Sequence, residues 1–95
     1  MYVRVVRFTD VNAERMNDLI GRMNEAEGPP EGVPATGIQV LVDSDQGTAV
    51  VLQLFDSQED METGAKALSA MDPADTPGTR VSVDACELKA DRRVN

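Results

Sequence analysis

The order of apolar patterns along the chain constrains its fold more than any other feature. Four runs rich in valine and other β-branched or aromatic residues are bounded by turn residues, as strands are. Two other segments place apolar residues three or four positions apart, which is typical of amphipathic helices. The patterns predict strands over residues 2–8, 36–42, 48–55 and 80–88, with one helix after the first strand and one after the third.

Both predicted helices have recognisable starts. Asn12 or Asp10 can cap the first helix, which is expected to end by about Glu27, before a Gly-Pro-Pro segment. Ser57 precedes the second helix, and Asp60 three residues later makes a variant of the capping box. The apolar positions are Met16, Leu19, Ile20 and Met23 in the first helix and Met61, Ala65, Leu68 and Met71 in the second.

This order of elements is the split βαβ repeat of ferredoxin-like α+β folds. Right-handed crossovers place both helices on one face of an antiparallel sheet with strand order 4-1-3-2. The small residues Gly64 and Ala67 allow the second helix to approach that sheet closely. We expect a single domain over residues 1–95, with a tail at 89–95 that has little to bury and can fray.

The polar segment between the second and third strands has two interpretations. Asp43, Asp45 and Gly47 match the start of a calcium-binding loop, but Leu54 stands where that loop needs a bidentate glutamate. Because the segment joins two strands, a hairpin turn is the better interpretation. The chain has no histidine and only one cysteine, Cys86, so we predict no metal and no cofactor.

Composition narrows the choice of partners and compartment. Seventeen acidic residues against nine basic ones give a net charge of −8, the wrong sign for binding nucleic acid or an anionic membrane. Arginines interrupt the apolar N-terminal run, so this run is neither a secretion signal nor a membrane span. A lone cysteine agrees with a reducing compartment, and a cytoplasmic location is expected.

Alternation along each strand divides the sheet into two sets of side chains. The aliphatic set is predicted to lie under the helices; it is Val3, Val5, Ile38, Val40, Val42, Val50, Leu52, Leu54, Val81, Val83 and Ala85. The mixed set is predicted to form the outer face; it is Tyr2, Arg4, Val6, Phe8, Gly37, Gln39, Leu41, Ala49, Val51, Gln53, Phe55, Ser82, Asp84, Cys86 and Leu88.

The predicted outer face is too apolar to meet water. A second copy of the chain can cover it by a twofold pairing, which uses one set of residues twice. We therefore expect a homodimer that is formed through the sheet. The polar residues of this face must pair, hold water or face a ligand; they are Arg4, Gln39, Gln53 and Asp84.

The whole pattern resembles one superfamily. The order of elements, the apolar outer face, the hairpin sequence Asp-Ser-Asp-Gln-Gly and the closing segment from Pro77 to Asp84 are similar to the dimeric α+β barrel proteins, near their antibiotic-biosynthesis monooxygenase branch. The resemblance implies a homodimer whose paired sheets make a barrel. It also implies a cleft between each sheet and its helices for a hydrophobic aromatic substrate, with cofactor-free oxidation as a candidate activity.

The departures from this superfamily limit the activity that can be carried over. Its haem-degrading members use a set of Asn, Trp and His, and this chain has neither Trp nor His, so haem degradation is excluded. Three classes of function stay open: a small-molecule-binding homodimer, a cofactor-independent monooxygenase acting on an aromatic or quinol-like substrate, and a protein interaction or assembly module. The first is favoured. The candidate ligand-binding residues are Tyr2, Arg4, Gln39, Gln53 and Asp84.

For each candidate residue a purely structural role competes with the functional one. Arg4 and Asp84 can be an ion pair that lines a cleft, or one that merely satisfies neighbouring strands. Gln39 and Gln53 can hydrogen-bond across the dimer, since amides donate and accept but transfer no proton. Cys86 has no histidine to activate it, so a buried thiol is predicted rather than a nucleophile.

Overall fold

The computed structural model describes residues 1–26, 28, 32–69 and 76–94. The elements follow the predicted order, with bounds within two residues of those predicted for the strands. They are β1 (Tyr2–Thr9), α1 (Ala13–Glu25), β2 (Gly37–Asp43), β3 (Thr48–Phe55), α2 (Gln58–Ser69) and β4 (Thr79–Glu87). Met71 and the predicted end of α1 at Glu27 lie outside the described residues.

The strands form one antiparallel sheet in the order β2-β3-β1-β4, which confirms the predicted ferredoxin-like topology. β1 and β3 are the central strands. Hairpin-connected β2 and β3 are neighbours, whereas each crossover through a helix joins strands that are not adjacent in the sheet. Buried residues of both helices pack on the same face of the sheet, as right-handed crossovers require.

The helix starts are those predicted from sequence. The Asn12 side chain accepts hydrogen bonds from the backbone N–H groups of Glu14, at 2.8 Å, and of Arg15, at 3.2 Å. The hydroxyl of Ser57 accepts from the N–H of Asp60 at 3.1 Å. Each bond satisfies a backbone donor that the first turn of a helix leaves free.

The segment between β2 and β3 is a hairpin turn, as predicted. The Asp43 carboxylate accepts from the backbone N–H of Gln46 at 3.2 Å and from its side-chain amide at 2.8 Å. Gly47 has a φ of 66°, in the region that glycine adopts without steric penalty. The Asp43 carboxylate therefore stabilises the turn through these two hydrogen bonds.

The face predicted to lie under the helices is wrong for the two central strands. In β1 and β3 the buried side chains on the helix side come from the mixed set, and those on the outer side come from the aliphatic set. The helix-side residues of these strands are Tyr2, Arg4, Val6, Phe8, Ala49, Val51, Gln53 and Phe55. The outer-side residues are Val3, Val5, Arg7, Val50, Leu52 and Leu54.

The assignment is correct in β2, where Val40 packs against the core and Gln39 and Leu41 lie on the outer face. In β4 it is correct for Val83 and Ala85 but not for Val81, because a register shift between Arg7 and Phe8 skips this residue. Val81 is 58% exposed, and Arg80 takes its place opposite Phe8. A bulge of this kind redirects the side chains beyond it.

The error has a physical cause. Both faces of β1 and β3 are apolar, so alternation separates their side chains without saying which set the helices cover. The layer between sheet and helices is filled by the larger side chains, including Phe8 and Phe55. Arg4 and Gln53 can lie in this layer because they hydrogen-bond to each other.

The core consists of two clusters at opposite ends of the helix-side face. The α1 cluster contains Val6, Phe8, Met16, Ala49 and Val51. The α2 cluster contains Val33, Phe55 and Met61, with Tyr2, Ala35, Ala67 and Leu68 packed against it. The strand register places a single pair of residues between the clusters, since Arg4 opposes Gln53.

Gly64 brings α2 close to the sheet, as its small size predicts. A Cβ added at this glycine would lie 2.6 Å from Cε1 of Phe55, a distance that atoms in contact do not reach. Phe55 is fully buried. Because Gly64 has no side chain, the Phe55 ring can pack directly against the backbone of α2.

Candidate functional site

Arg4 and Gln53 form a polar seam beneath the helices. They are direct neighbours on β1 and β3, and Arg4 Nη1 donates a hydrogen bond of 2.9 Å to Gln53 Oε1. Arg4 is 5% exposed and Gln53 is 9% exposed. The α2 cluster begins one pair away at Tyr2 and Phe55, and the α1 cluster begins one pair away on the other side.

The hydrogen bond to Gln53 satisfies only part of the Arg4 side chain. Arg4 Nε is buried and donates to no acceptor among the described residues. Gln53 is neutral, and within the described ranges no carboxylate lies in ion-pair contact with Arg4. A buried guanidinium that lacks both a counter-ion and one hydrogen-bond acceptor is unfavourable. The free energy lost when the group leaves water is not offset by interactions within the protein.

The electrostatic surroundings of Arg4 also favour an anion. Burial lowers the pKa of the Arg4 guanidinium, and the positive charge of Arg80 lowers it further. Arg80 reaches this region because the β-bulge places it opposite Phe8, on the helix side of the sheet. Sequence reasoning missed Arg80, because the unbroken alternation of β4 gives no signal for a bulge.

Tyr2 lies at the α2 end of the seam. It opposes Phe55, two positions along β1 from Arg4, and it is half-buried against the α2 cluster. Tyr2, Arg4 and Gln53 thus share one face, as the sequence predicts, but this is the helix side and not the outer face. The three candidate residues lie between sheet and helices.

Gln39 and Asp84 lie on the opposite face of the sheet. Gln39 opposes Leu52 and Asp84 opposes Val5, both outer-face residues. The predicted ion pair between Arg4 and Asp84 is therefore wrong, since the two side chains project from opposite faces. A hydrogen bond between Gln39 and Gln53 is excluded within one subunit for the same reason.

The outer face of the sheet is apolar, as predicted, but the residues that form it on β1 and β3 differ from those predicted. Val3, Val5, Val50, Leu52 and Leu54 cover the two central strands, and all five are half-buried. Leu41 on β2 extends the surface and is 52% exposed. Cys86 lies at its β4 edge and is exposed in the subunit, which differs from the buried thiol that the sequence predicts.

A shallow depression of about 420 Å³ opens beside the α2 cluster. It is lined by Gly32, Val33, Pro34, Asp60 and Thr63. Among the described residues that line it, Asp60 is the one with a charged side chain, and Arg4 and Gln53 are not among them. The described residues that line this depression include no buried charged group, whereas the seam contains the buried guanidinium of Arg4.

Two classes of site are not found in the described part of the chain. Residues 1–26, 28, 32–69 and 76–94 contain no cluster of three or more acidic, cysteine or histidine side chains that could hold a metal ion. Within the same ranges no helix is long and apolar enough to cross a membrane.

Comparison with known proteins identifies the fold. No family model matches the sequence, and no curated protein does. Among solved structures, the chain is similar over its full length to a variant of MhuD crystallised with two manganese protoporphyrin IX molecules per active site, with a TM-score of 0.57, 17% identity and 99% of that chain covered. It is also similar over its full length to a candidate antibiotic biosynthesis monooxygenase from Deinococcus radiodurans, with a TM-score of 0.52, 15% identity and 97% of that chain covered.

The chain thus has a ferredoxin-like fold that is similar to the folds of these two proteins. At this level of identity the likeness establishes the fold alone. The activity has to be argued from the residues of the site.

Proposed function

We propose that this protein is a homodimer that binds a small, largely apolar molecule between the sheet and the helices of each subunit. The binding residues are Arg4 and Gln53, with Tyr2 at the edge of the site. The observation that carries the proposal is the buried Nε of Arg4, which has no acceptor among the described residues and lies between two apolar clusters.

The energetics of Arg4 support a ligand. A buried polar group without a partner costs about 1 to 3 kcal/mol, and a charged one costs more. In a chain with 17 acidic residues, a counter-ion from the protein would be easy to supply, yet Gln53 occupies the position directly opposite. The pair of Arg4 and Gln53 leaves one donor of Arg4 without an acceptor, and a bound molecule could supply that acceptor.

The outer face supports the dimer. Five aliphatic side chains of the central strands and Leu41 form a continuous apolar surface on a protein with a net charge of −8. A second copy can cover this surface by a twofold pairing, which leaves the outer-side Arg7 beside the apolar residues. The polar candidates of this face, Gln39 and Asp84, then lie in or beside the contact between sheets rather than in the ligand site.

The experiment that tests ligand binding is calorimetric titration of the protein with bicyclic aromatic compounds, both neutral and carboxylated. We expect saturable binding of at least one of them at one site per subunit, weakened by Arg4→Met. The control is Arg92→Met, which makes the same change at an exposed residue outside every helix and strand. If no compound binds saturably, the proposal is wrong.

Cofactor-independent monooxygenation of an aromatic or quinol-like substrate is the second candidate. Its support is the fold shared with a candidate antibiotic biosynthesis monooxygenase, together with a buried guanidinium that can stabilise an ionised phenol. Oxygen uptake on addition of a polycyclic quinol, abolished by Arg4→Met, would establish the enzyme. Ligand stabilisation without oxygen uptake favours the binder.

Haem degradation is not proposed. The MhuD structure holds a porphyrin, but this chain has no histidine to coordinate haem iron. An interaction or assembly module has only the acidic surface in its support, and co-purification of one specific protein would favour it.

A further inference from the structure

Among the described residues, one edge of the Arg4 guanidinium is hydrogen-bonded and the other edge has no acceptor. Gln53 accepts from Nη1, whereas Nε has no acceptor in the described part of the chain. In an arginine, Nε and the far terminal nitrogen, Nη2, form a flat edge whose two N–H groups point the same way. A carboxylate fits this edge with two parallel hydrogen bonds, one to each oxygen.

The charges around this edge select an anion. Asp84, the carboxylate expected to compensate Arg4, projects from the other face of the sheet. Arg80 adds a second positive charge on the helix side. Within the described residues no ion pair neutralises either arginine, and the carboxylate of Glu87, opposite Tyr2 on β4, is paired with Lys89 at 3.0 Å.

We propose that the ligand of this site is a carboxylate with an apolar body, whose two oxygens accept hydrogen bonds from the free edge of Arg4. Gln53 holds the guanidinium in place by its bond to Nη1. The inference rests on the proposed ligand site and adds the chemical class of the ligand.

The apolar body is accommodated by the residues on either side of the seam. Phe55 and Tyr2 stand one pair away towards α2, and Val6 and Val51 stand one pair away towards α1. Adjacent pairs on one face of a sheet are about 7 Å apart. An aromatic body of one or two rings matches this spacing, so it would contact one or both clusters while its carboxylate reaches Arg4.

The test compares two probes that differ only in charge, 1-naphthoate and 1-naphthamide, titrated calorimetrically into the full chain. We expect the carboxylate to bind at least about tenfold more tightly, since a charged, two-point hydrogen bond is lost in the amide. Arg4→Met is expected to abolish this preference. Arg92→Met is expected to preserve it.

Gln53→Glu provides a second variant that does not depend on removing the arginine. It places a carboxylate against Arg4 within the protein, so the folded state keeps its stability while the carboxylate preference falls by at least about tenfold. Thermal unfolding of each variant shows whether it is folded before it is titrated.

The outcomes separate this inference from the proposed function. Equal affinity for naphthoate and naphthamide would overturn the carboxylate and leave the ligand site standing. A preference for naphthoate that persists in Arg4→Met would place the anion elsewhere and also overturn it. Failure of both probes to bind would overturn the ligand site as well.

Discussion

Arg4 donates a 2.9 Å hydrogen bond to Gln53 across the two central strands, and this bond is the polar link between two apolar clusters beneath the helices. The two residues depend on each other unequally. Gln53 without Arg4 is an unpaired neutral amide, whereas Arg4 without Gln53 is a buried charge with no described partner. This asymmetry leads to the first prediction.

Gln53→Leu is expected to lower the free energy of unfolding by about 3 kcal/mol or more, because it removes the described acceptor of a buried charge. Arg4→Met is expected to cost less, about 1 to 3 kcal/mol. The double variant with both changes replaces the pair by apolar side chains and is expected to approach the stability of the unchanged protein. Urea unfolding of the four proteins measures the cycle.

A double variant as unstable as the sum of the two single variants would show that the residues act independently. The seam would then be ordinary core, and the interpretation of Arg4 as a ligand anchor would lose its basis.

Gly64→Ala tests the close approach of α2 to the sheet. The added Cβ would overlap the Phe55 ring, so the helix or the ring must move, and overpacking of this kind costs about 1 to 3 kcal/mol. The matched control is Gly21→Ala in α1, where the added Cβ meets no described atom within 4 Å other than its chain neighbours and the helix's own backbone. There alanine is expected to stabilise by about 1 kcal/mol, through helix propensity. Thermal unfolding of both variants should shift in opposite directions.

Asp10 directly follows β1 and has a φ of 52°, which residues other than glycine rarely adopt. A β-branched residue is least compatible with this conformation, so Asp10→Val is expected to cost about 1 to 2 kcal/mol. Asp10→Gly removes the steric conflict but adds freedom to the unfolded chain, and we expect a net change within about 0.5 kcal/mol. Equal destabilisation by the two substitutions, measured by urea unfolding, would contradict this account.

The proposed dimer predicts different effects for two consecutive residues of β2. Leu41 faces the outer side and is 52% exposed, and Val42 faces the helix side and is 44% exposed. Leu41→Glu places a charge in the contact between sheets and is expected to weaken dimerisation at least about tenfold. Val42→Glu introduces the same charge beside it and should leave the dimer intact.

Sedimentation velocity over a range of protein concentrations measures both variants against the unchanged protein. A monomer at every concentration for the unchanged protein would overturn the dimer, and equal weakening by both substitutions would place the contact elsewhere.

Much of the fold could be predicted because patterns of neighbouring residues determine where its strands and helices form. The valine-rich runs predict the strands, and the spacing of Met16 from Leu19 predicts the first helix. Asn12 and Ser57 predict where the helices begin, and their side chains make the expected bonds. Each of these signals depends on residues close in sequence, so the chain order of elements and the sheet topology follow from them.

The candidate site could be predicted only in part. Tyr2, Arg4 and Gln53 lie on one face of the sheet, as predicted, because alternate residues of a strand project to the same side and Arg4 is paired with Gln53. The sequence places Asp84 on the same face as Arg4, which is wrong because the relative register of β1 and β4 depends on how the two strands pair and not on either strand alone. Arg80 was missed because a single skipped residue, Val81, changes which side chains face the helices.

The pattern of apolar residues was sufficient to specify four strands, two helices and the order in which they pair, since turn chemistry and side-chain periodicity act locally. Which side of β1 and β3 the helices cover was decided by packing in three dimensions. Both sides of these strands are apolar, and only the assembled layer, with Phe55 against Gly64 and Arg4 against Gln53, distinguishes one from the other.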